Sequence, residues 1–263
     1  MSPFATSLLM LLLLGVSQAQ QDTDDDNEVP EEDQDTVDIT TAILTTNNGT
    51  DEILLEGDLL VPKTRNALKC WSQSCLWKKA FNGMVNVPYS ISSQFRSSER
   101  QKIERAIKSF HSSTCIRFVP RRNEYDYISF ESRGGCFSDL GRQGGRQVVS
   151  INRQGCVYHG IIQHEINHAL GFQHEQTRSD RDRYVRINWE NIDPQMAYNF
   201  YKQDTNNLNT PYDYSSVMHY GKTAFSTNGR DTITPISNAG INIGQRQGMS
   251  RWDIRRINLL YGC

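Results

Sequence analysis

No lysine or arginine occurs before Lys63, no cysteine before Cys70, and no apolar run is longer than the seven residues from Leu8 to Leu14. Seven residues are far short of the roughly 20 needed to span a bilayer as a helix, so a membrane-spanning protein is not expected. No Cys-x-x-Cys pair occurs either, which argues against a cysteine-based zinc site. The total of 30 acidic against 28 basic residues, net charge −2, gives no excess of the sign that nucleic acid would attract. That balance is unevenly distributed. Residues 20–65 hold fourteen Asp and Glu against Lys63 and Arg65, a net of −12, while residues 66–263 hold 26 basic against 16 acidic residues, a net of +10. A boundary near residue 65 is expected.

The run Leu8–Leu14 is followed by Gly15-Val16-Ser17-Gln18-Ala19, with small residues at −3 and −1 of a cut after Ala19. Residues 1–19 therefore read as a secretory signal peptide whose n-region has only the α-amino charge. The six cysteines Cys70, Cys75, Cys115, Cys136, Cys156 and Cys263 fit an oxidising compartment as three bridges, with 15 pairings open. Residues 20–50 are polar and acidic and are expected to be disordered. The sequon Asn48-Gly49-Thr50 lies there, making Asn48 a glycosylation candidate. The stretch closes on Lys63-Thr64-Arg65, which suits a trypsin-like cut between Arg65 and Asn66. Charge alone fits a solvated linker equally well.

Beyond Arg65 the pattern is globular. Val85, Val87, Tyr89 and Ile91 alternate as in a half-buried strand. Ser98 and Gln101 stand at capping-box spacing before Ile103, Ala106, Ile107 and Phe110, an amphipathic helix. Further strands are expected at Ile116–Val119, Tyr127–Phe130 and Gln147–Ile151. After Asp204 the chain reads mostly as loops, ending in a helix-like stretch from Trp252 to Tyr261. The fold class is α+β, in two subdomains sharing a cleft.

The segment His164-Glu165-Ile166-Asn167-His168-Ala169-Leu170-Gly171-Phe172-Gln173-His174 carries the chemistry. Histidines one helical turn apart share a face, Gly171 can end the helix in a left-handed conformation, and His174 then returns as a third ligand. Three imidazoles suit a tetrahedral zinc ion with one open position. Glu165 stands beside that position as a general base toward a water whose pKa zinc lowers to about 7. His159, a turn before the motif helix, and His111, at the end of the first helix, read as surface or packing residues.

The eleven-residue motif, with Glu175 after it and Ser216-Val217-Met218-His219-Tyr220 as a methionine turn, resembles the astacin family of metzincin proteases over essentially all of 66–263. Asn66-Ala67-Leu68-Lys69-Cys70-Trp71, Cys75 and Gln176–Asp182 look most like the fish hatching enzymes within that family. The resemblance implies a twisted mixed sheet and zinc-site helix in the first half and a mostly irregular second half. It implies one zinc ion, Met218 as an apolar floor beneath it, and Tyr220 as a switchable zinc contact that then hydrogen-bonds the oxyanion. Cys115 would pair with Cys263, Cys136 with Cys156, and Cys70 with Cys75. Residues 20–65 become an activation propeptide, with Asp58 of Leu55-Glu56-Gly57-Asp58 as the residue that blocks zinc; Leu55 stands where the family has Phe. After cleavage Asn66 would turn inward to Glu175, and the strand around Cys136-Phe137-Ser138 would pair antiparallel with substrate.

The expected function is a secreted zinc endopeptidase, a monomer made as a zymogen and stored in secretory granules. It would be activated by a trypsin-like protease and act on egg-envelope glycoproteins. A different matrix or digestive substrate, a growth-factor-processing protease of the same family, and a silent zinc-stabilised glycoprotein-binding domain are the alternatives. No nucleic-acid or membrane partner is expected.

Overall fold

The computed structural model describes residues 38–61, 74–245 and 247–263. The signal-peptide segment, most of the acidic stretch, the Arg65–Asn66 junction and Cys70 lie outside the described residues.

A seven-stranded mixed sheet runs in the order β1-β2-β6-β7-β5-β3-β4. Its centre is parallel: β3 (Val85–Ile91) lies between β4 (Ile116–Pro120) and β5 (Tyr127–Glu131), and β5 pairs with β7 (Arg146–Ile151). Parallel neighbours need a crossover, and α2 (Ser97–Ser113) supplies the one from β3 to β4. Its Ile103, Ala106, Ile107 and Phe110 are buried in the main core, as their spacing predicts. The helix begins one residue before Ser98, and Glu99, not Gln101, closes its start by accepting the Arg96 N–H at 2.7 Å. At its other end His111 Nε2 accepts the Phe118 N–H at 3.0 Å, which ties α2 to β4.

β6 (Cys136–Ser138) runs antiparallel to β7 and would be the sheet's edge. Residues from the N-terminal segment cover it. The short hairpin of β1 (Leu54–Leu55) and β2 (Leu59–Leu60) extends the sheet there, β2 lying parallel to β6 with Leu59 opposite Ser138.

The expected disorder of residues 20–50 fails for its described part. Residues Ile39–Asn47 form α1, whose N-cap Asp38 accepts the Thr41 N–H at 3.0 Å. The segment is rich in threonine and poor in intrinsic helix formers, so its helicity depends on docking. Ile39 and Ile43 are buried in the main core, and Leu44 packs against a second apolar cluster. Burying each isoleucine contributes about 2 kcal/mol, offsetting the weak propensity.

The second cluster, built from Phe200, Tyr212, Tyr220 and Ile233 among others, organises the later half of the chain. Regular structure there is sparse: β8 (Val185–Ile187) pairs with β9 (Ile233–Pro235), and α4 (Arg251–Tyr261) closes the chain. Buried side chains supply partners that the irregular backbone cannot find in a ladder. Arg181, 4% exposed, donates to Gln176 O and Phe200 O at 2.8 and 2.9 Å. Disulfides join Cys115 to Cys263 and Cys136 to Cys156, while the expected partner of Cys75 lies outside the described residues. No helix among the described residues is long and apolar enough to cross a membrane.

Candidate active site and metal centre

Helix α3 (His159–Ala169) is buried all round from Gly160 to Ala169, including Gln163, His164, Glu165, Asn167 and His168. Polar side chains on a buried helix need partners or a task. Gln163 has partners: it donates to Ser109 Oγ at 2.7 Å and accepts the Met249 N–H at 2.8 Å. His159 is the first residue of α3, not a residue one turn before it.

The helix ends as the glycine requires. Gly171 has φ +105°; its N–H reaches His168 O at 2.8 Å and the Phe172 N–H reaches Asn167 O at 3.0 Å, the two bonds of a Schellman turn. Trp77 Nε1 donates to Ala169 O and the Tyr261 hydroxyl to Leu170 O, both at 2.9 Å, so the last buried carbonyls are satisfied. The reversal brings His174 back to His164 and His168.

The three imidazoles and Asp58 form one buried cluster, with a ligand atom from each within 4.8 Å of every other. Each histidine's Nδ1 faces an acceptor: Val217 O at 2.8 Å for His164, Phe172 O at 2.7 Å for His168, and Glu56 Oε2 at 2.7 Å for His174. The hydrogen therefore sits on Nδ1, and the lone pair of Nε2 points into the cluster. His164 and His168 hold their Nε2 atoms 3.1 Å apart. Lone pairs that converge in this way, with outer-shell acceptors orienting each ring, fit a cation that takes nitrogen donors. Zinc suits the three imidazoles, with Asp58 in reach of a fourth position.

Asp58 lies 3.0 Å from His164 Nε2, 3.4 Å from His168 Nε2 and 3.3 Å from His174 Nε2. Burial alone would raise its pKa, but the surrounding histidines outweigh that and hold the carboxyl well below its ordinary range. Burial lowers His168 to about 4 despite Asp58. For His174, Asp58 and Glu56 overcome burial and lift it to about 9 in the metal-free chain, so its Nε2 takes a proton there that a bound cation would displace. Glu165 is fully buried, and neither of its oxygens has a hydrogen-bond partner. Burial, with the Asp58 charge added, pushes its pKa well above the ordinary value.

The methionine turn is tied down from α4. Asp253 accepts the Ser216 hydroxyl at 2.6 Å and the Val217 N–H at 2.9 Å, and Val217 O is the acceptor for His164. Met218 is buried, 3% exposed, in the main core. Tyr220 is buried with its ring 4.7 Å from that of His174, and its hydroxyl donates to Glu56 O. Glu175 accepts two bonds from Arg256 at 2.6 and 2.9 Å, one from Arg178 at 3.3 Å and the Asp213 N–H at 2.7 Å. Burial still raises it to about 6 against both arginines. A cavity of about 670 Å³ adjoins it, lined by Gly171, Glu175, Arg178 and Arg256 among others. Asn48, just beyond α1, is exposed.

The β6 edge is occupied. Asn47 spans Cys136, accepting its N–H and donating to its C=O, both at 2.7 Å, and Ser138 N–H donates to Asp58 O at 3.0 Å. The occupying strand runs parallel to β6, opposite to the direction expected of a substrate.

The astacin peptidase family model matches residues 73–262. The chain belongs to the astacin family. Among curated astacins, high choriolytic enzyme 1 of Oryzias latipes is 63% identical over 264 residues, 98% of each chain. Low choriolytic enzyme of the same fish is 51% identical over 266 residues, 98% of this chain and 97% of the relative. The solved structure of high choriolytic enzyme 1, described as a hatching enzyme zinc-protease, superposes with a TM-score of 0.73 at 69% identity, covering 75% of this chain and all of the other. The chain is thus an astacin metallopeptidase with the α+β fold expected of that family.

Sequence reasoning did not single out Glu56 or Asp253. A carboxylate two residues from Asp58 was a usable signal for Glu56. For Asp253, the spacing from Ser250 marks a helix cap, but nothing in sequence places that cap under residues 216–217.

Proposed function

We propose that the chain is a secreted zinc endopeptidase of the hatching-enzyme type, made as a zymogen whose N-terminal segment 20–65 is removed by a cut after Arg65. The observation that carries this is the convergence of three Nε2 lone pairs on one point beside a buried, unpartnered Glu165. His164, His168 and His174 would hold the zinc ion, which when bound polarises a substrate carbonyl and acidifies water. Glu165, whose affinity for a proton burial raises, serves as general base and then as acid toward the leaving amine. Tyr220 donates a hydrogen bond from its hydroxyl to the oxyanion once Glu56 O no longer accepts it. The β6 edge, freed of residues 47 and 58, pairs with extended substrate.

Asp58 is the blocking residue on this reading, because its carboxylate lies within 3.0–3.4 Å of all three histidines. Loss of the N-terminal segment frees the edge strand, the metal centre and Tyr220 together. The new terminus at Asn66 is proposed to enter the cavity beside Glu175. Egg-envelope proteins are the proposed substrates, supported by identity to enzymes named as choriolytic over nearly their whole length.

Two assays test this. Casein hydrolysis by the trypsin-treated protein should be lost with a zinc chelator and return with zinc. Incubation with intact fish egg envelope should release envelope peptides identifiable by mass spectrometry; digestion of casein but not envelope would redirect the substrate to another extracellular protein.

A further inference from the structure

The three histidines do not draw their outer support from the same part of the chain. His164 and His168 donate Nδ1–H to backbone carbonyls of Val217 and Phe172, which belong to the catalytic body. His174 donates to the carboxylate of Glu56, which belongs to the segment proposed to leave on activation. Glu56 is 2% exposed and sits in the left-handed region at φ +50°, a conformation disfavoured for any residue with a side chain. Its carboxylate also accepts from Gln203 Nε2 at 2.9 Å and from the Thr177 hydroxyl at 3.4 Å. Gly57 follows at φ +80°, where a Cβ would run into the Leu44 side chain. The backbone is thus bent so that Glu56 and Asp58 reach opposite sides of the same imidazole: Asp58 faces Nε2 of His174 at 3.3 Å while Glu56 holds Nδ1.

We propose that Glu56 is a positioning residue of the zymogen's metal centre, a removable outer-shell acceptor that orients His174 and tightens zinc retention until activation. This rests on reading residues 20–65 as a pro-segment, but not on Asp58 being the blocker. An acceptor oxygen on the far nitrogen of a ligating imidazole fixes the ring and its tautomer, and loss of such a partner typically costs 10–100-fold in metal affinity. Removal of the segment therefore takes away a direct neighbour of the metal position and the outer support of one ligand in the same event.

The test uses the full-length zinc-loaded chain carrying Arg65→Ala to keep the segment attached, and reads the rate of zinc transfer to the chromogenic chelator 4-(2-pyridylazo)resorcinol. Glu56→Ala should accelerate transfer about 10–100-fold. Glu56→Gln is isosteric and keeps an oxygen for His174, so it should recover most of the retention. Gln203→Ala removes one Glu56 contact and leaves the His174 bond, so it should stay within about twofold of the reference. A Glu56→Ala rate within about twofold of the reference overturns the proposal. So does a Gln203→Ala rate as fast as that of Glu56→Ala, since mere loosening of the segment would then explain both. Glu56→Gln behaving like Glu56→Ala also overturns it. Casein hydrolysis by Asp58→Ala in the same background reads the blocking role separately: a silent Asp58→Ala beside a fast-leaking Glu56→Ala removes Asp58 as blocker and leaves Glu56 standing.

Discussion

Asp58 and Glu165 come from different parts of the chain and feel one another's charge at the metal centre, yet their surroundings shift them in opposite directions. Asp58, from the N-terminal segment, faces all three rings within 3.0–3.4 Å, and these neighbours hold it ionised against burial. Glu165, from α3, is buried without a partner at either oxygen, and burial lifts its pKa. Both carboxylates are buried and Asp58 Oδ1 also lacks a hydrogen-bond partner, so what separates them is charge: imidazoles around Asp58 favour its ionised form, and nothing comparable offsets the burial of Glu165. The contrast extends to how the two regions are attached. The catalytic body is held by two apolar clusters and by two disulfides between described residues. The N-terminal segment is held by Ile39 and Ile43 at one end and by polar contacts to the metal centre at the other, the attachments that the proposed release would undo.

The sharpest way to break the contrast is at Glu165. In the activated protein Glu165→Gln should lower kcat/KM by about 10²–10⁴-fold, the usual worth of a general base, with zinc content by atomic absorption unchanged. Retained activity would remove the distinction between the two carboxylates. The attachment of the segment comes next. Ile43→Ala, in a buried site where such a truncation costs about 2–5 kcal/mol, should speed hydrogen exchange of the α1 amides at least about 30-fold through local opening, while amides of α2 stay protected. Equal acceleration in both helices would mean that segment and body unfold as one unit.

The smallest effect lies in the body. His111 accepts the Phe118 N–H only when neutral, and burial, then Arg117 and Lys108, hold its pKa below the ordinary 6.5. Its contribution is therefore complete above pH 6.5 and is lost as pH falls toward the depressed value. Melting temperature measured between pH 7 and pH 5 should fall about 2 °C further in the parent than in His111→Gln, in line with the worth of one hydrogen bond. An identical fall in both would place the pH dependence elsewhere.

What sequence could and could not reveal follows the same division. The apolar spacing of Ile103, Ala106, Ile107 and Phe110 marks α2 because a helix packed on a sheet must repeat at about 3.6 residues. His164, His168, Gly171 and His174 mark the centre because local helix geometry and one glycine turn are enough to bring them together. α1 was illegible: Ile39 and Ile43 sit among threonines, and only the body they dock on makes them a helix. The support under the centre was illegible for another reason. Asp253 reaches Ser216 and Val217 across 37 and 36 residues, and Glu56 reaches His174 across 118, distances over which no local pattern survives.

Silencing of the centre by the N-terminal segment through Asp58 is the step on which the proposed function depends. It is tested most directly by casein hydrolysis with the full-length Arg65→Ala chain, with and without Asp58→Ala, both loaded with zinc and neither treated with protease. The chain with Asp58 intact should be silent and the Asp58→Ala chain should hydrolyse casein. An Asp58→Ala chain as silent as its parent, with zinc bound and the fold retained, would contradict it.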